Sequence, residues 1–104
     1  IFPTANILPL DNNQLIPLNG VYCVDVELRK TNYLGMCNIG VRPTFCDDNI
    51  VNIEVHIITN DNISIYGENI IIKFKQYIRE EKKYSNKKQL IRQLNKDKYI
   101  CLSN

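Results

Sequence analysis

The sequence predicts an all-β domain completed by one C-terminal helix, its strands arranged as a small barrel or sandwich. Three observations carry this prediction. Apolar and polar residues alternate over several short segments, which is the period of a half-buried strand. Turn-forming residues separate those segments at short spacing. After Glu81 the apolar period lengthens to that of an amphipathic helix.

The elements follow in chain order. Residues 8–19, LPLDNNQLIPLN, hold two prolines and several turn formers and read as a loop. Tyr22, Val24, Val26 and Leu28 then alternate with Cys23, Asp25 and Glu27, a strand. Lys30-Thr31-Asn32 is a polar break, and YLGMCNIG (33–40) is the returning strand of a hairpin. Arg42-Pro43-Thr44 and Asp47-Asp48-Asn49 read as a longer loop. VNIEVHII (51–58) is the cleanest strand, with Val51, Ile53, Val55 and Ile57 on one face and Asn52, Glu54, His56 and Ile58 on the other. Asn60-Asp61-Asn62 is a turn, and ISIY (63–66) a short strand ended by Gly67. Residues 69–79 set Ile70, Ile72, Phe74 and Ile78 against Lys73, Lys75 and Tyr77, again a strand. Ser85 is the expected N-cap of a helix over about 86–98, with Leu90, Ile91 and Leu94 as its apolar stripe. The CLSN tail is undecided.

Size and composition bound the function. The 104 residues match one small domain, and 44% hydrophobic content supplies a single core. A net charge of +2 is far from that of a dedicated nucleic-acid binder. No run of about 18 apolar residues marks a membrane span, and no signal peptide is visible. The chain starts at Ile1 rather than Met, so it is read as an N-terminally truncated fragment. Ile, Asn and Lys are heavily used, which points to an AT-rich coding sequence. Residues that resist this bias, such as Pro3, Thr4, Gly40, Arg42, Glu54 and Arg79, therefore carry more information. Cys23, Cys37, Cys46 and Cys101 form no CxxC motif, and only His56 could add an imidazole. A zinc site or disulfides are the sharper alternatives. The expectation is small buried hydrophobes in a reducing compartment, the cytoplasm.

Three stretches carry candidate chemistry. In Pro3-Thr4-Ala5-Asn6 the proline stiffens the backbone, and two neutral oxygens stand two positions apart. In an extended segment they face one side, a set suited to Mg²⁺ shared with phosphates. A capped turn is the other reading. Glu54, mid-strand, is either an exposed carboxylate or one that meets a metal or a hydroxyl. His56 on the same face reads as a surface or satisfied core histidine. In YIREEKKYS (77–85) Arg79 binds an anion or pairs with Glu80 or Glu81, and Tyr84 stacks on a planar ligand or packs. The lysines at 82, 83, 87 and 88 are a solvated face. No P-loop and no GxGxxG is present.

These pieces, taken in order, resemble the riboflavin kinases: PTAN (3–6), GVY (20–22), NIGVRPTF (38–45), EVHI (54–57), YG (66–67) and FKQYIREEKKYS (74–85). The resemblance spans essentially the whole chain, so that 1–104 is read as one such domain. It implies a six-stranded antiparallel Greek-key β-barrel with a C-terminal α-helix. It implies transfer of the ATP γ-phosphoryl group to the ribityl 5′-hydroxyl of riboflavin, giving FMN and ADP. By resemblance Thr4 and Asn6, with Pro3, hold Mg²⁺ and the ATP phosphates, and Glu54 is the general base. Arg79 and Tyr84 border the flavin, and the loop with Gly40, Arg42 and Thr44 is a mobile flap near the ligands. The implied partners are riboflavin, FMN, ATP and ADP, together with an upstream FMN adenylyltransferase domain as in bacterial bifunctional enzymes. Nucleic acid and membrane are not expected partners. The rival reading is a non-catalytic small β-barrel that binds flavin or an oligonucleotide.

Overall fold

The computed structural model describes residues 2–11, 14–43 and 49–103, and of Arg42, Pro43 and Asn49 only the backbone. Five strands and one helix follow one another: β1 (Thr4–Ile7), β2 (Gly20–Leu28), β3 (Thr31–Pro43), β4 (Asn49–Ile58), β5 (Ile70–Arg79) and α1 (Lys87–Leu102). Every strand pairing is antiparallel, and the order across the sheet is β1-β4-β3-β2-β5.

The period-two alternation read in the sequence sorts side chains onto two faces. Val24, Val26, Leu28, Cys37, Ile39, Ile53, Val55 and Ile57 form the concave core. Most are fully buried, and each buried Val or Ile contributes about 1.5–3 kcal/mol. Ala5 and Ile7 of β1 pack against this cluster, and so do Ile70 and Ile72 of β5. The two edge strands thus meet the same core from opposite ends of the sheet, so the sheet is strongly coiled. The opposite face carries a second cluster of Val21, Cys23, Met36, Leu94 and Cys101, through which α1 docks.

Several expectations are corrected. The sheet is open and five-stranded among the described residues, not a closed six-stranded barrel. Residues 63–66 make no strand, although Ile63 and Ile65 still turn into the core. An apolar alternation buries one side of an irregular segment as well as one side of a strand. Between the edges, residues such as Leu8, Ile16 and Pro17 face Ile7 and Ile72 across a cavity of about 450 Å³. The hairpin turns at Arg29-Lys30, both at positive φ (51° and 68°), one residue earlier than the polar break suggested. β3 runs on to Pro43, so Gly40 and Arg42 belong to a paired strand, opposite Asn52 and Ile50. Thr44 lies outside the described residues.

The pairing of β2 with β5 is irregular at two points, between Val21 and Tyr22 and between Cys23 and Val24. These bulges reset the alternation of β5. Phe74 and Tyr77 both stand edge-on to Tyr22, with ring centroids 5.3 and 5.4 Å away, while Ile78 turns to the helix side. Gly20 opens β2 at φ +149°, where a β-carbon would run into the Tyr77 ring.

The helix is longer than expected and starts one residue later. Asn86, not Ser85, is its N-cap, accepting from the Gln89 amide at 2.9 Å. The tail continues the helix to Leu102. The cysteine expectation is also corrected: Cys23 and Cys101, 78 positions apart, form a disulfide that fastens the end of α1 to β2. Cys37 is free and buried, as expected for a small hydrophobe, and its burial pushes the thiol up to about 12. Cys46 lies outside the described residues.

Candidate active site

Strand register decides which side chains can meet. β1 pairs with β4 so that Thr4 stands opposite His56 and Asn6 opposite Glu54. Directly opposed residues of an antiparallel pair hold their β-carbons about 4.5–5.5 Å apart. Thr4, Asn6, Glu54 and His56 therefore share one face, while Ala5 and Ile7 turn into the core. The extended-segment reading of PTAN is the one the structure takes. Pro3 precedes the strand at its edge, where a missing amide costs nothing, and its carbonyl accepts from the Ile57 amide at 2.8 Å.

Following the pairing across the sheet, one row of opposed residues crosses all five strands: Asn6, Glu54, Asn38, Val21 and Arg79. The row begins at the neutral donors of β1, passes the carboxylate and ends at the guanidinium of β5. At roughly 4.8 Å per strand step, Glu54 and Arg79 are about 14 Å apart along the sheet. Asn38 was not singled out in the sequence. It lies on this row beside Glu54, and only the register between two strands distant in sequence reveals that.

Glu54 is part-buried, its side chain 32% exposed. Its Oε1 lies 3.2 Å from Nε2 of His56, which is buried. That hydrogen bond holds the Glu54 carboxyl below its ordinary range, against the opposing effect of burial. The group is therefore ionised at neutral pH and reachable from solvent. His56 is a satisfied buried histidine: its Nδ1 is 2.8 Å from the Thr4 hydroxyl. Thr4 is exposed, as is Asn6, and both line a cavity of about 700 Å³ that extends along β1 to residues 63–70. This volume is in the range of small-molecule sites.

At the far end of the row Arg79 is already engaged. Its Nε and Nη2 donate to the two carboxylate oxygens of Asp97 at 2.9 and 2.8 Å, and Nη1 donates to the Glu80 carbonyl at 3.0 Å. Asp97 is fully buried and also accepts from Gln93 Nε2 at 2.9 Å. The pair raises the Arg79 guanidinium further above its ordinary range. The expected partners Glu80 and Glu81 are thus replaced by Asp97, a helix residue that the sequence does not single out. Nearby, the Tyr84 hydroxyl is buried with no hydrogen-bond partner among the described residues. A β-carbon at Gly40 would meet the Glu81 carboxylate, the movable end of a flexible side chain.

Comparisons with known proteins identify the family. A family model described as Flavokinase, riboflavin kinase, matches residues 1–103. The bifunctional riboflavin kinase/FMN adenylyltransferase of Listeria monocytogenes is 44% identical over 96 residues, covering 92% of this chain and 30% of that protein. Its counterpart in Bacillus subtilis is 39% identical over 98 residues, covering 93% of this chain and 31% of that protein. The crystal structure of a macrolide-efflux protein from Streptococcus pneumoniae aligns with a TM-score of 0.84 at 36% identity, over 96% of this chain and 32% of that one. The chain thus spans about 30% of the length of the curated relatives it matches. No helix among the described residues is long and apolar enough to cross a membrane. With the family model matching residues 1–103, the chain belongs to the riboflavin kinase family.

Proposed function

We propose that this chain is the riboflavin kinase module of a longer enzyme, moving the γ-phosphoryl group of ATP to the ribityl 5′-hydroxyl of riboflavin. The products are FMN and ADP. The observation that carries this reading is the opposition of Asn6 and Glu54 across β1 and β4. It sets neutral oxygen donors and an ionised carboxylate on one face of the sheet.

The donor set fits Mg²⁺: Thr4 and Asn6 offer neutral oxygens, leaving room for water and phosphate oxygens. When bound there, the ion would neutralise phosphate charge. The cavity along β1 would take the body of the nucleotide, with Pro3 stiffening its wall. Glu54 is the proposed general base. Its lowered affinity for protons suits phosphoryl transfer, in which the attacking hydroxyl gives up its proton late. Riboflavin would lie on the uncovered part of this face, beside Glu54 and Asn38. The orphaned Tyr84 hydroxyl offers a hydrogen bond to such a ligand. Arg79 acts here through Asp97, as the anchor of that wall. Gly40 and Arg42 would border the site as strand residues.

The names of the relatives support an FMN adenylyltransferase domain elsewhere in the same enzyme; the cytoplasm is the proposed place of work. Incubation with riboflavin and Mg-ATP, followed by chromatography, tests the reading. FMN is the expected product; its absence with folded, riboflavin-binding protein overturns it.

A further inference from the structure

We propose that His56 is a positioning residue that locks the Glu54 carboxylate and the Thr4 hydroxyl into one hydrogen-bonded unit. The inference rests on the roles proposed above for Glu54 and Thr4. It adds a third residue, which couples them.

His56 is 5% exposed and has both ring nitrogens in contact with named partners: Glu54 Oε1 at Nε2, 3.2 Å, and Thr4 Oγ1 at Nδ1, 2.8 Å. A buried imidazole needs both nitrogens satisfied. An ionised carboxylate only accepts, so the Nε2 proton points at Glu54. In the neutral ring Nδ1 is then the acceptor, and the Thr4 hydroxyl donates to it. The competing acceptor for that hydroxyl is the Phe2 carbonyl at 3.0 Å. With its proton turned inward to His56, Thr4 presents oxygen lone pairs to the cavity. The tautomer set by Glu54 thus orients the donor on the neighbouring strand. Cross-strand placement makes this specific: Thr4 and His56 are a register pair, and Glu54 lies two residues along the same face. The other cross-strand neighbour of His56 is Met36, which is fully buried and packs the ring without competing for either nitrogen.

Three substitutions divide the two bonds. His56→Gln reaches toward Glu54 in place of Nε2, His56→Asn stands in for Nδ1 toward Thr4, and His56→Leu removes both. Each is measured for kcat, for KM of Mg-ATP, for calorimetric affinity of Mg-ADP, for riboflavin affinity by fluorescence quenching, and for Tm. We expect His56→Leu to lose about 10–100-fold in both kcat and Mg-ADP affinity, the usual cost of removing a group that orients a ligand. We expect His56→Gln to recover kcat more than Mg-ADP affinity, and His56→Asn the reverse, with riboflavin affinity held in all three. A drop in Tm with kcat and Mg-ADP affinity unchanged in all three variants overturns the proposal, since that is the signature of a packing role. Equal loss in Gln and Asn variants, with no division between the two readouts, overturns it too. Glu54→Gln and Thr4→Ala are run alongside. If these keep full turnover and Mg-ADP affinity, the underlying site assignment fails. If they lose them while the His56 variants do not, the coupling alone fails.

Discussion

The convex face of the sheet divides into two unequal halves. Over β2 and β3 it is apolar, covered by α1 and fastened by the Cys23–Cys101 disulfide and the buried Arg79–Asp97 pair. Over β4 and β1 it is polar and open at Thr4, Asn6 and Glu54, with His56 buried among them in register. The same strand periodicity builds both halves. What differs is whether a helix lies on top. The lesson is that reactive groups can stand on rigid strands without help from long loops, provided the covering element stops short.

Substitutions can break one half while sparing the other. The largest effect is expected from Glu54→Gln, which should cut FMN formation by ~10²–10⁴-fold with riboflavin affinity nearly intact, read by chromatography and fluorescence. Near-normal turnover would remove Glu54 from the open half's chemistry. Asp97→Ala should destabilise by about 3–5 kcal/mol, because it strands the part-buried Arg79 guanidinium, as measured by urea unfolding. Reducing the disulfide, or Cys23→Ser, should cost about 2–4 kcal/mol and loosen the helix end, while the order of pairing between β1 and β4 stays. Hydrogen exchange would show whether protection is lost only at α1. Lys30→Gly should gain about 1 kcal/mol by relieving a left-handed residue in the hairpin, far from both halves.

Acidity offers a gentler probe. The carboxyl of Glu54 is held below its ordinary range by His56. Its contribution to stability is therefore present above that range and is lost as the pH falls through the lowered value. Wild-type protein should lose stability in that acid window, and Glu54→Gln should show less of the loss when Tm is followed against pH. Cys37, with its thiol pushed up to about 12, should resist a thiol reagent at pH 8 until the protein unfolds.

Much of this was readable in the residues. The alternation in 21–28 and 51–58 identified β2 and β4, two of the three inner strands, and the spacing of Thr4 and Asn6 predicted a shared side. Local patterns fail where distant chain segments decide. Closing the barrel requires pairing between edges, and Ile63 and Ile65 imitate a strand although they only lean on the core. The bulges in the pairing of β2 with β5 shift Ile78 to the helix side without a mark in composition. Asp97 carries no local signal as the partner of Arg79, since the two meet only when α1 docks on the sheet. Cys23 and Cys101 carry no spacing signal at a separation of 78. Asn38 joins the site through pairing alone.

The ladder between β1 and β4 behaves like a reading frame. Sliding β1 by one residue would turn Thr4 and Asn6 into oil and Ala5 and Ile7 into water, so the fold itself would reject the error. Sliding it by two would preserve the greasy side and pass that check, yet set Thr4 or a residue outside β1 against Glu54 in place of Asn6. Such a protein would be stable and chemically silent, and only an assay of product would expose it.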